Sequence, residues 1–376
     1  MRGELFAPIV TTDELLDATS DERWLALMLR TEAALALAAA DFDAIPRSAA
    51  DAIAVVCDGA FDVAALGRAA RDGGNPVIPL VEELRRRVPA DDREWVHWGA
   101  TSQDIVDTAM MLMARDVMAI IDRELTDAGD ACALLVDRHR ATPMVGRTLL
   151  QHAPTITFGF KAATWLNGIL DARAATGRVL PVTQLGGPVG TLSSMGAAGP
   201  AIAARFAELL DLDEPLLAWH TARQRVAELA SALAIVAGTA AKVAGDVALL
   251  MQPEIAELAE PAAPGRGASS SIPGKRNPIL AVEIDAAARR AIALVPVVLG
   301  SLVASHERPA GAWHAEWEAV TDLLALAGGA AANLRVVLEG LEVDAVAMAT
   351  RAGASPDDVA ATATWIDRVL ARHASS

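Results

Sequence analysis

A short segment of small residues, hydroxyls and cations is the part of this sequence best suited to chemistry. Residues 265–278 read GRGASSSIPGKRNP, in which three serines precede Lys275, Arg276 and Asn277. Glycines allow such a segment to move, hydroxyls can transfer protons or hold anions, and cations attract negative charge. Asn277 as N-cap and Pro278 as first helical residue would also turn a positive helix end towards the loop. The segment predicts a carboxylate-binding loop; a flexible linker with incidental charges is the alternative.

Three other places carry groups that could act on an anion. His152 precedes a segment rich in Phe and Trp, where it is either a catalyst or a hydrogen-bonded structural residue. Thr101 and Ser102 begin a predicted helix whose backbone N–H groups could hold an anion, although plain N-capping is the commoner use of such residues. Arg223 and Arg225 could clamp a carboxylate or simply be solvated at the surface.

Metal, redox and cofactor chemistry are not indicated. The two cysteines, Cys57 and Cys132, lie in apolar helical contexts without a CxxC partner. One group of histidines and glutamates could be mistaken for metal ligands, but its spacing fits no metal pattern: His306, Glu307, His314 and Glu316. We therefore expect no metal and no cofactor.

Composition limits the partners of the protein. A formal charge of −16 over 376 residues disfavours nucleic acid and anionic membranes, so an anionic substrate would need a local basic pocket. Although 53% of the residues are hydrophobic, no uncharged apolar stretch free of Gly and Pro reaches the ~18 residues that span a bilayer. Residues 1–10 do not resemble a secretion signal. These observations predict a cytoplasmic protein without a nucleic acid or membrane partner.

Abundant alanine and sparse β-branched alternation predict an all-α fold built on a central bundle of long helices. From residue 226 onward, apolar positions recur three and four apart without a miss, which is typical of a bundle seam. Helical patterns also cover 21–41, 80–88, 279–303 and 318–341, and small residues interrupt them at 184–200 and 261–278. The seam residues are Val226, Leu229, Leu233, Val236, Ala240, Val243, Val247 and Leu250.

The breaks predict three units: an N-terminal helical domain over 1–98, a central helix bundle with the loop over 99–341, and a short C-terminal helical domain over 342–376. A seam helix of ~35 to 40 Å is longer than a compact monomer of this size comfortably shields. We therefore expect helix packing between subunits.

Three segments together resemble the signature regions of the fumarase/aspartase superfamily. GATSQD at 99–104, GRTLLQHAPTITFGFKAA at 146–163 and SSSIPGKRNP at 269–278 occur in the superfamily's order. The third pattern there is close to GSSxMPxKxNP, from which only Ala268 and Ile272 depart. Within the superfamily, LGGPVGTL, WHTARQRVAELASAL and HERPAGAWHAEWE are most similar to the 3-carboxy-cis,cis-muconate cycloisomerase family, with adenylosuccinate lyases as the nearest competitor.

The resemblance implies roles for individual residues. Ser269 falls at the position of the loop serine, the usual general base or acid, and His152 at the second-region histidine that contacts substrate or assists proton transfer. It does not decide which of the two delivers the proton. The implied substrate-binding residues are Lys275, Asn277, Thr101, Ser102, Arg223, Arg225, Ser270, Arg266 and Gln151. It further implies a homotetramer in which three subunits contribute to each active site.

The implied activity is the cyclisation of a small polycarboxylate by addition of one of its own carboxylates, with proton transfer through an aci-carboxylate. Two departures from the pattern stand out: Gly274 replaces a histidine frequent in lactonising members, and the C-terminal domain is shorter than usual. Two alternatives remain open, a superfamily lyase that releases fumarate from adenylosuccinate or argininosuccinate, and a helical scaffold that has lost activity.

Overall fold

The computed structural model of the chain describes residue 3, residues 5–352 and residues 359–375, and these residues are mainly helical. Short helices come first, long ones form the middle of the chain, and two short ones follow near its end. The helices are α1 (Asp13–Ala18), α2 (Asp21–Ala40), α3 (Arg47–Cys57), α4 (Val63–Gly73), α5 (Val77–Arg87), α6 (Ser102–Arg138), α7 (Phe158–Thr176), α8 (Gly199–Leu210), α9 (Gln224–Leu250), α10 (Ile279–Gly300), α11 (Ala312–Glu339), α12 (Ala345–Ala352) and α13 (Val359–Ala374). The fold class predicted from the sequence is confirmed.

Five long helices, α6, α7, α9, α10 and α11, pack side by side as the central bundle. The starts of α6 and α9 lie together, since Gln103 Nε2 donates to the carbonyl oxygen of His220 at 2.8 Å. The start of α11 joins them, because Trp313 Nε1 donates to Asp107 at 3.0 Å. Helices α6, α9 and α11 therefore run parallel.

Helices α7 and α10 run the opposite way. Trp165, in the first half of α7, donates to Asp246 near the end of α9 at 2.7 Å, and α10 begins after the loop that follows α9. We call the end of the bundle where α6, α9 and α11 begin the network end, and the end where α7 and α10 begin the loop end.

The predicted seam is confirmed residue by residue. Every one of its eight apolar positions between Val226 and Leu250 is buried, with exposed fractions between 0% and 3%. Helices α9 and α11 are long and apolar enough to cross a membrane by length and composition alone, a test that buried core helices also pass. The outer side of α9 keeps exposed apolar residues, among them Ile235 at 45% and Leu249 at 39%.

Two small antiparallel sheets lie at the loop end and were not predicted. Strands β1 (Pro143–Thr148) and β2 (Gln151–Thr157) form a hairpin directly before α7. Strands β3 (Leu258–Ala259) and β4 (Glu342–Val343) pair the segment after α9 with the segment after α11.

The flanking helices pack on this bundle. Helix α2 contacts α6 and α8, α12 contacts β1, and α13 contacts α7. Helix α6 begins three residues after the predicted first boundary, and α11 ends two residues before the second. The division into three domains stays a prediction.

Candidate active site

Asp104 organises the first signature segment at the network end. Its fully buried carboxylate accepts hydrogen bonds from the backbone N–H groups of Thr101, Gly186 and Gly187, at 2.9 to 3.0 Å. His220 Nε2 lies 2.7 Å from the same carboxylate. Thr101 is the N-cap of α6 and Ser102 its first residue. Both predicted anion-binding residues are therefore held in a fixed position, and plain N-capping accounts for part of their role.

The structure corrects the predicted role of Arg223. Its side chain is fully buried and bridges Asp107, at 2.6 Å, and Glu316. The guanidinium also lies 4.8 Å from the centre of the Trp219 ring. Four of its five N–H donors bind these two carboxylates and the side chain is buried, so Arg223 acts as a structural residue of the bundle core. Arg225 is half-buried and has no ion pair among the described residues, so it keeps its place as a substrate-binding candidate.

The third signature segment forms a loop without helix or strand at the loop end. Ser269 is half-buried, and its Oγ accepts hydrogen bonds from the N–H groups of Ser271, at 3.3 Å, and Ile272, at 3.1 Å. Donors of this kind favour a serine oxygen that carries negative charge. Ser270 and Lys275 are exposed, and the Lys275 ammonium makes no ion pair within the described residues. The loop therefore presents a polarised hydroxyl and an unpaired cation.

The predicted helix start at Asn277 is corrected. Helix α10 begins at Ile279 with Pro278 as N-cap, and the Asn277 side chain donates to the carbonyl oxygen of Gly267 at 3.0 Å. The carboxylate of Glu260, 2% exposed, instead accepts from Leu280 N at 3.1 Å and from the next backbone N–H at 2.7 Å. Because this buried carboxylate already occupies the first turn, the positive end of α10 is not available to an anionic substrate.

Two arginines of the loop make contacts with residues outside it. Arg276 pairs with Glu342 at 2.6 Å and donates to the Glu260 carbonyl oxygen. Arg266, half-buried, donates to the carbonyl oxygen of Pro261 at 3.3 Å. That long hydrogen bond uses one of its five N–H donors, so Arg266 remains a substrate-binding candidate.

Gln151 and His152 lie at the start of strand β2, and both are exposed. The hairpin turn that precedes them consists of Leu149 and Leu150, each with positive φ, and these leucines are 96% and 72% exposed. Arg147 lies across the hairpin from His152 and forms a two-pronged ion pair with buried Glu257 at 2.7 and 2.9 Å. The Arg147–Glu257 ion pair thus holds the first strand of the hairpin to the segment after α9, while His152 on the second strand is exposed to solvent.

The chain brings the second and third signature segments to one end of the bundle and leaves the first at the other. Helix α9, whose 27 residues span the distance between the ends, is ~40 Å long. Two surface cavities of about 330 and 280 Å³ are lined by residues outside all three segments. Within one chain, Thr101 and Ser102 are therefore remote from Ser269, His152 and Lys275.

Sequence reasoning missed three buried acids that position the site, namely Asp104, Glu260 and Glu32. Glu32 lies 2.6 Å from His97, which is four residues before Thr101. Asp104 had a sequence signal, because it stands three residues after Thr101, the spacing of a capping box. Glu32 and Glu260 act on residues 65 and 20 positions away, and no local pattern marks such partners.

The described residues contain no group of three or more His, Cys, Asp or Glu side chains arranged to hold a metal ion. Glu316, one of the residues that could have been mistaken for a ligand, is the partner of Arg223. Operation without a metal or cofactor stays a prediction.

Comparison with known proteins supports the resemblance that the three segments carry. A model of the lyase family matches residues 9–293. The chain belongs to this family. It is 44% identical to the 3-carboxy-cis,cis-muconate cycloisomerase of Bradyrhizobium diazoefficiens over 92% of the chain and 78% of that protein. It is 42% identical to the nitrosuccinate lyase of Streptomyces davaonensis, over 91% of the chain and 75% of that protein.

A solved structure of a 3-carboxy-cis,cis-muconate lactonizing enzyme from Pseudomonas putida shares the fold of this lyase-family chain. Its TM-score is 0.89 at 36% identity, covering 99% of the chain and 86% of the other protein. The resemblance to the fumarase/aspartase superfamily is confirmed, and the chain is an enzyme.

Proposed function

We propose that this enzyme is a cycloisomerase that interconverts 3-carboxy-cis,cis-muconate and 4-carboxymuconolactone, the reaction of the protocatechuate branch of the beta-ketoadipate pathway. The observation that carries the proposal is the 44% identity to a 3-carboxy-cis,cis-muconate cycloisomerase over 92% of the chain. Ser269, Lys275 and His152 are all present and accessible to solvent, which favours an active enzyme over a scaffold that has lost activity.

The reaction joins a carboxylate oxygen of the substrate to a carbon of its own conjugated diene. The new C–O bond closes a five-membered lactone, and the displaced π electrons move onto the carbon next to another carboxylate, giving an aci-carboxylate. A proton then adds to that carbon, so the product is an isomer of the substrate. No redox step or added nucleophile is needed, because the nucleophile is part of the substrate and binding fixes its orientation.

Stabilising the aci-carboxylate is the hard step. Preorganised donors at the developing charge are the most effective way to do so, and Lys275 with the loop N–H groups provides them. Arg225 and Arg266 are the remaining cations that can neutralise the other carboxylates. Ser269, whose Oγ already accepts two N–H donors, or His152 delivers the proton.

A complete site then requires more than one chain, as in the proposed homotetramer. Thr101 and Ser102 lie at the network end, whereas Ser269 and His152 lie at the loop end. Two copies packed antiparallel would bring opposite ends together. The exposed apolar residues on α9 and α10, such as Ile235 at 45% and Ile292 at 49%, suit such helix packing between copies.

The direct test is incubation of the purified protein with 3-carboxymuconate. We expect loss of the diene absorbance, formation of the lactone as the single product, and no fumarate. Turnover should survive dialysis against a chelator. Absence of conversion would overturn the proposed function.

A second function, elimination from a substituted succinate, is favoured by the 42% identity to a nitrosuccinate lyase. Elimination of a substituent from succinate yields fumarate, so the same preparation should be assayed for fumarate with nitrosuccinate, adenylosuccinate and argininosuccinate. Fumarate release from one of them, without lactone formation from the muconate, would assign the chain to this second function.

Mixing two impaired variants tests the shared site. Ser269→Ala damages the loop end and Ser102→Ala the network end, so a tetramer re-formed from both contains some sites with neither substitution. We expect the refolded mixture to exceed the turnover of either variant, whereas each variant refolded alone keeps its own reduced rate. No recovery in mixed tetramers would contradict sites built from both ends.

A further inference from the structure

The loop of the third signature segment is closed at its base. The backbone N–H of Asn277 and its side-chain Nδ2 both donate to the carbonyl oxygen of Gly267, at 2.9 and 3.0 Å. Gly267 has a φ of 70°, and a Cβ there would lie 2.5 Å from the carbonyl oxygen of Asn277, so only glycine fits this close approach. The residues between these two therefore form a ring with a fixed base.

Two consecutive turns inside this ring share Ile272. Its N–H donates to Ser269 Oγ at 3.1 Å, and its carbonyl oxygen accepts from the backbone N–H of Lys275 at 3.4 Å. The second turn has Pro273 and Gly274 as its central residues, and Gly274 has a φ of 77°. A turn with proline at its second position and a φ near +80° at its third is of type II, and the third residue is normally glycine or asparagine. One residue thus links the Ser269 hydroxyl to the backbone of Lys275.

Only the backbone conformation requires glycine at position 274. A Cβ built on Gly274 meets no atom of the described residues within 4 Å, so a side chain has room there. A left-handed backbone is disfavoured by a factor of ~5 to 30 in a residue with a side chain, and asparagine tolerates it better than alanine. Substitutions at this position therefore alter the turn without creating a clash.

The turn decides where Lys275 lies. It holds the Cα atoms of Ile272 and Lys275 within ~7 Å of each other, whereas an extended chain of this length separates them by ~10 Å. The Lys275 ammonium makes no ion pair within the described residues, so no partner would keep it in place if the turn opened. A displacement of ~1 Å at a reacting centre can cost ~100-fold in rate. The position of this cation therefore depends on the turn.

We infer that Gly274 is a positioning residue that, together with Pro273, fixes the Lys275 ammonium relative to the Ser269 hydroxyl and so preforms the loop for a substrate carboxylate. The inference rests on the proposed function, since Lys275 acts there on the substrate polycarboxylate. A glycine that only kept the loop mobile would be replaced equally badly by alanine and asparagine. The type II turn, in contrast, accepts asparagine and disfavours alanine.

A double-mutant cycle in kcat/KM for 3-carboxymuconate tests this role. Gly274→Ala should lower kcat/KM by ~5 to 30-fold, the factor by which the left-handed backbone is disfavoured, and Gly274→Asn should restore most of the loss. In a Lys275→Ala background the loss caused by Gly274→Ala should disappear, because the turn acts through that cation. Equal losses for Gly274→Ala in both backgrounds, or equal losses for alanine and asparagine, would overturn the inference.

Gly196→Ala is the matched control. Gly196 also has a left-handed backbone, with a φ of 61°, and a Cβ there meets no atom of the described residues within 4 Å. It lies directly before α8, outside the three signature segments. Any loss of kcat/KM that it causes should be the same in the wild-type and Lys275→Ala backgrounds. A loss that vanished with Lys275 here as well would show that the coupling is not specific to the turn, which would overturn the inference.

A second measurement works without turnover. The chain has three lysines, Lys161, Lys242 and Lys275, so selective 15N-lysine labelling gives three backbone amide signals, of which Lys275→Arg identifies one. The Lys275 amide hydrogen should exchange with solvent ~5 to 30-fold faster in Gly274→Ala than in the wild type, because its hydrogen bond to Ile272 opens. An unchanged exchange rate would overturn the inference. If the wild type converts no muconate while the exchange rates differ as expected, the proposed function fails and the turn stands.

Discussion

The two ends of the bundle are built in opposite ways. At the network end, Asp104, Asp107 and Arg223 are buried and every one of them is held by several hydrogen bonds. At the loop end, Ser269 has only two backbone donors from its own loop, and Lys275 and His152 are exposed. Under the proposed function, this difference assigns substrate positioning to the rigid end, while the groups suited to proton transfer and charge stabilisation lie on an exposed loop and hairpin.

Replacing the loop serine should have the largest effect on turnover. Ser269→Ala removes the polarised hydroxyl, and general acid–base groups contribute ~10² to 10⁴-fold to rates. We expect kcat to fall by that factor with an unchanged melting temperature, because Oγ contacts only N–H groups of its own loop. Ser271→Ala, in the same loop, is the control for kcat. Near-normal rates in Ser269→Ala would assign the proton transfer elsewhere, with His152 as the next residue to replace.

The two central arginines should separate stability from binding. Arg223→Met leaves the buried carboxylates of Asp107 and Glu316 without a cation, and breaking a buried ion pair costs about 3 to 5 kcal/mol. Urea unfolding should show this loss. Arg225→Met should leave the free energy of unfolding nearly unchanged and raise KM. A stable Arg223→Met protein with a raised KM would reverse the assignment of the two residues.

Removing the unpaired loop cation should weaken substrate binding. A hydrogen bond to a charged group contributes about 1.5 to 3 kcal/mol, so Lys275→Ala should raise KM or lower kcat by ~10 to 100-fold in kcat/KM. Arg276→Ala serves as the comparison, since that guanidinium is already engaged by Glu342 and the Glu260 carbonyl. Equal losses in both variants would indicate that loop position, rather than the Lys275 charge, limits the reaction.

The smallest effect is a pH dependence of stability at the network end. The folded pKa of His97 is raised, so its contribution is complete below the unfolded value of ~6.5 and is lost as pH rises through the folded value. The melting temperature should therefore fall on the alkaline side of pH 6.5 in the wild type. Glu32→Gln should show a flatter profile there. Parallel curves for the two proteins would mean that the pair does not stabilise the fold.

The sequence predicted what depends on local periodicity. The seam of α9 follows from the three-and-four spacing of its apolar residues, and the start of α6 follows from the N-capping residue types at Thr101 and Ser102. The hairpin before α7 escaped prediction because its two-residue turn is Leu149 and Leu150, which lack the Asn-Gly signal of a left-handed turn.

Long-range pairing explains the remaining errors. The motif around Arg223 predicted a substrate ligand, but its partners Asp107 and Glu316 are 116 and 93 residues away, and no local pattern reveals that they meet in the core. Asn277 was expected to begin α10, yet Glu260 supplies the cap from 20 residues upstream. Residue types thus identified the candidate groups, whereas tertiary contacts decided which of them are paired in the core and which remain exposed.

The cap that Glu260 provides for α10 has a consequence for the covalent chain. Glu260, before the loop, binds the backbone amides of Leu280 and Ala281, which follow it, and Arg276 binds Glu342. The segments before and after the loop are therefore held together by noncovalent contacts. A protease that cuts between Ser270 and Gly274 would leave a nicked protein whose two fragments stay associated. Such a cleavage would abolish catalysis while the fragments co-elute as one folded species.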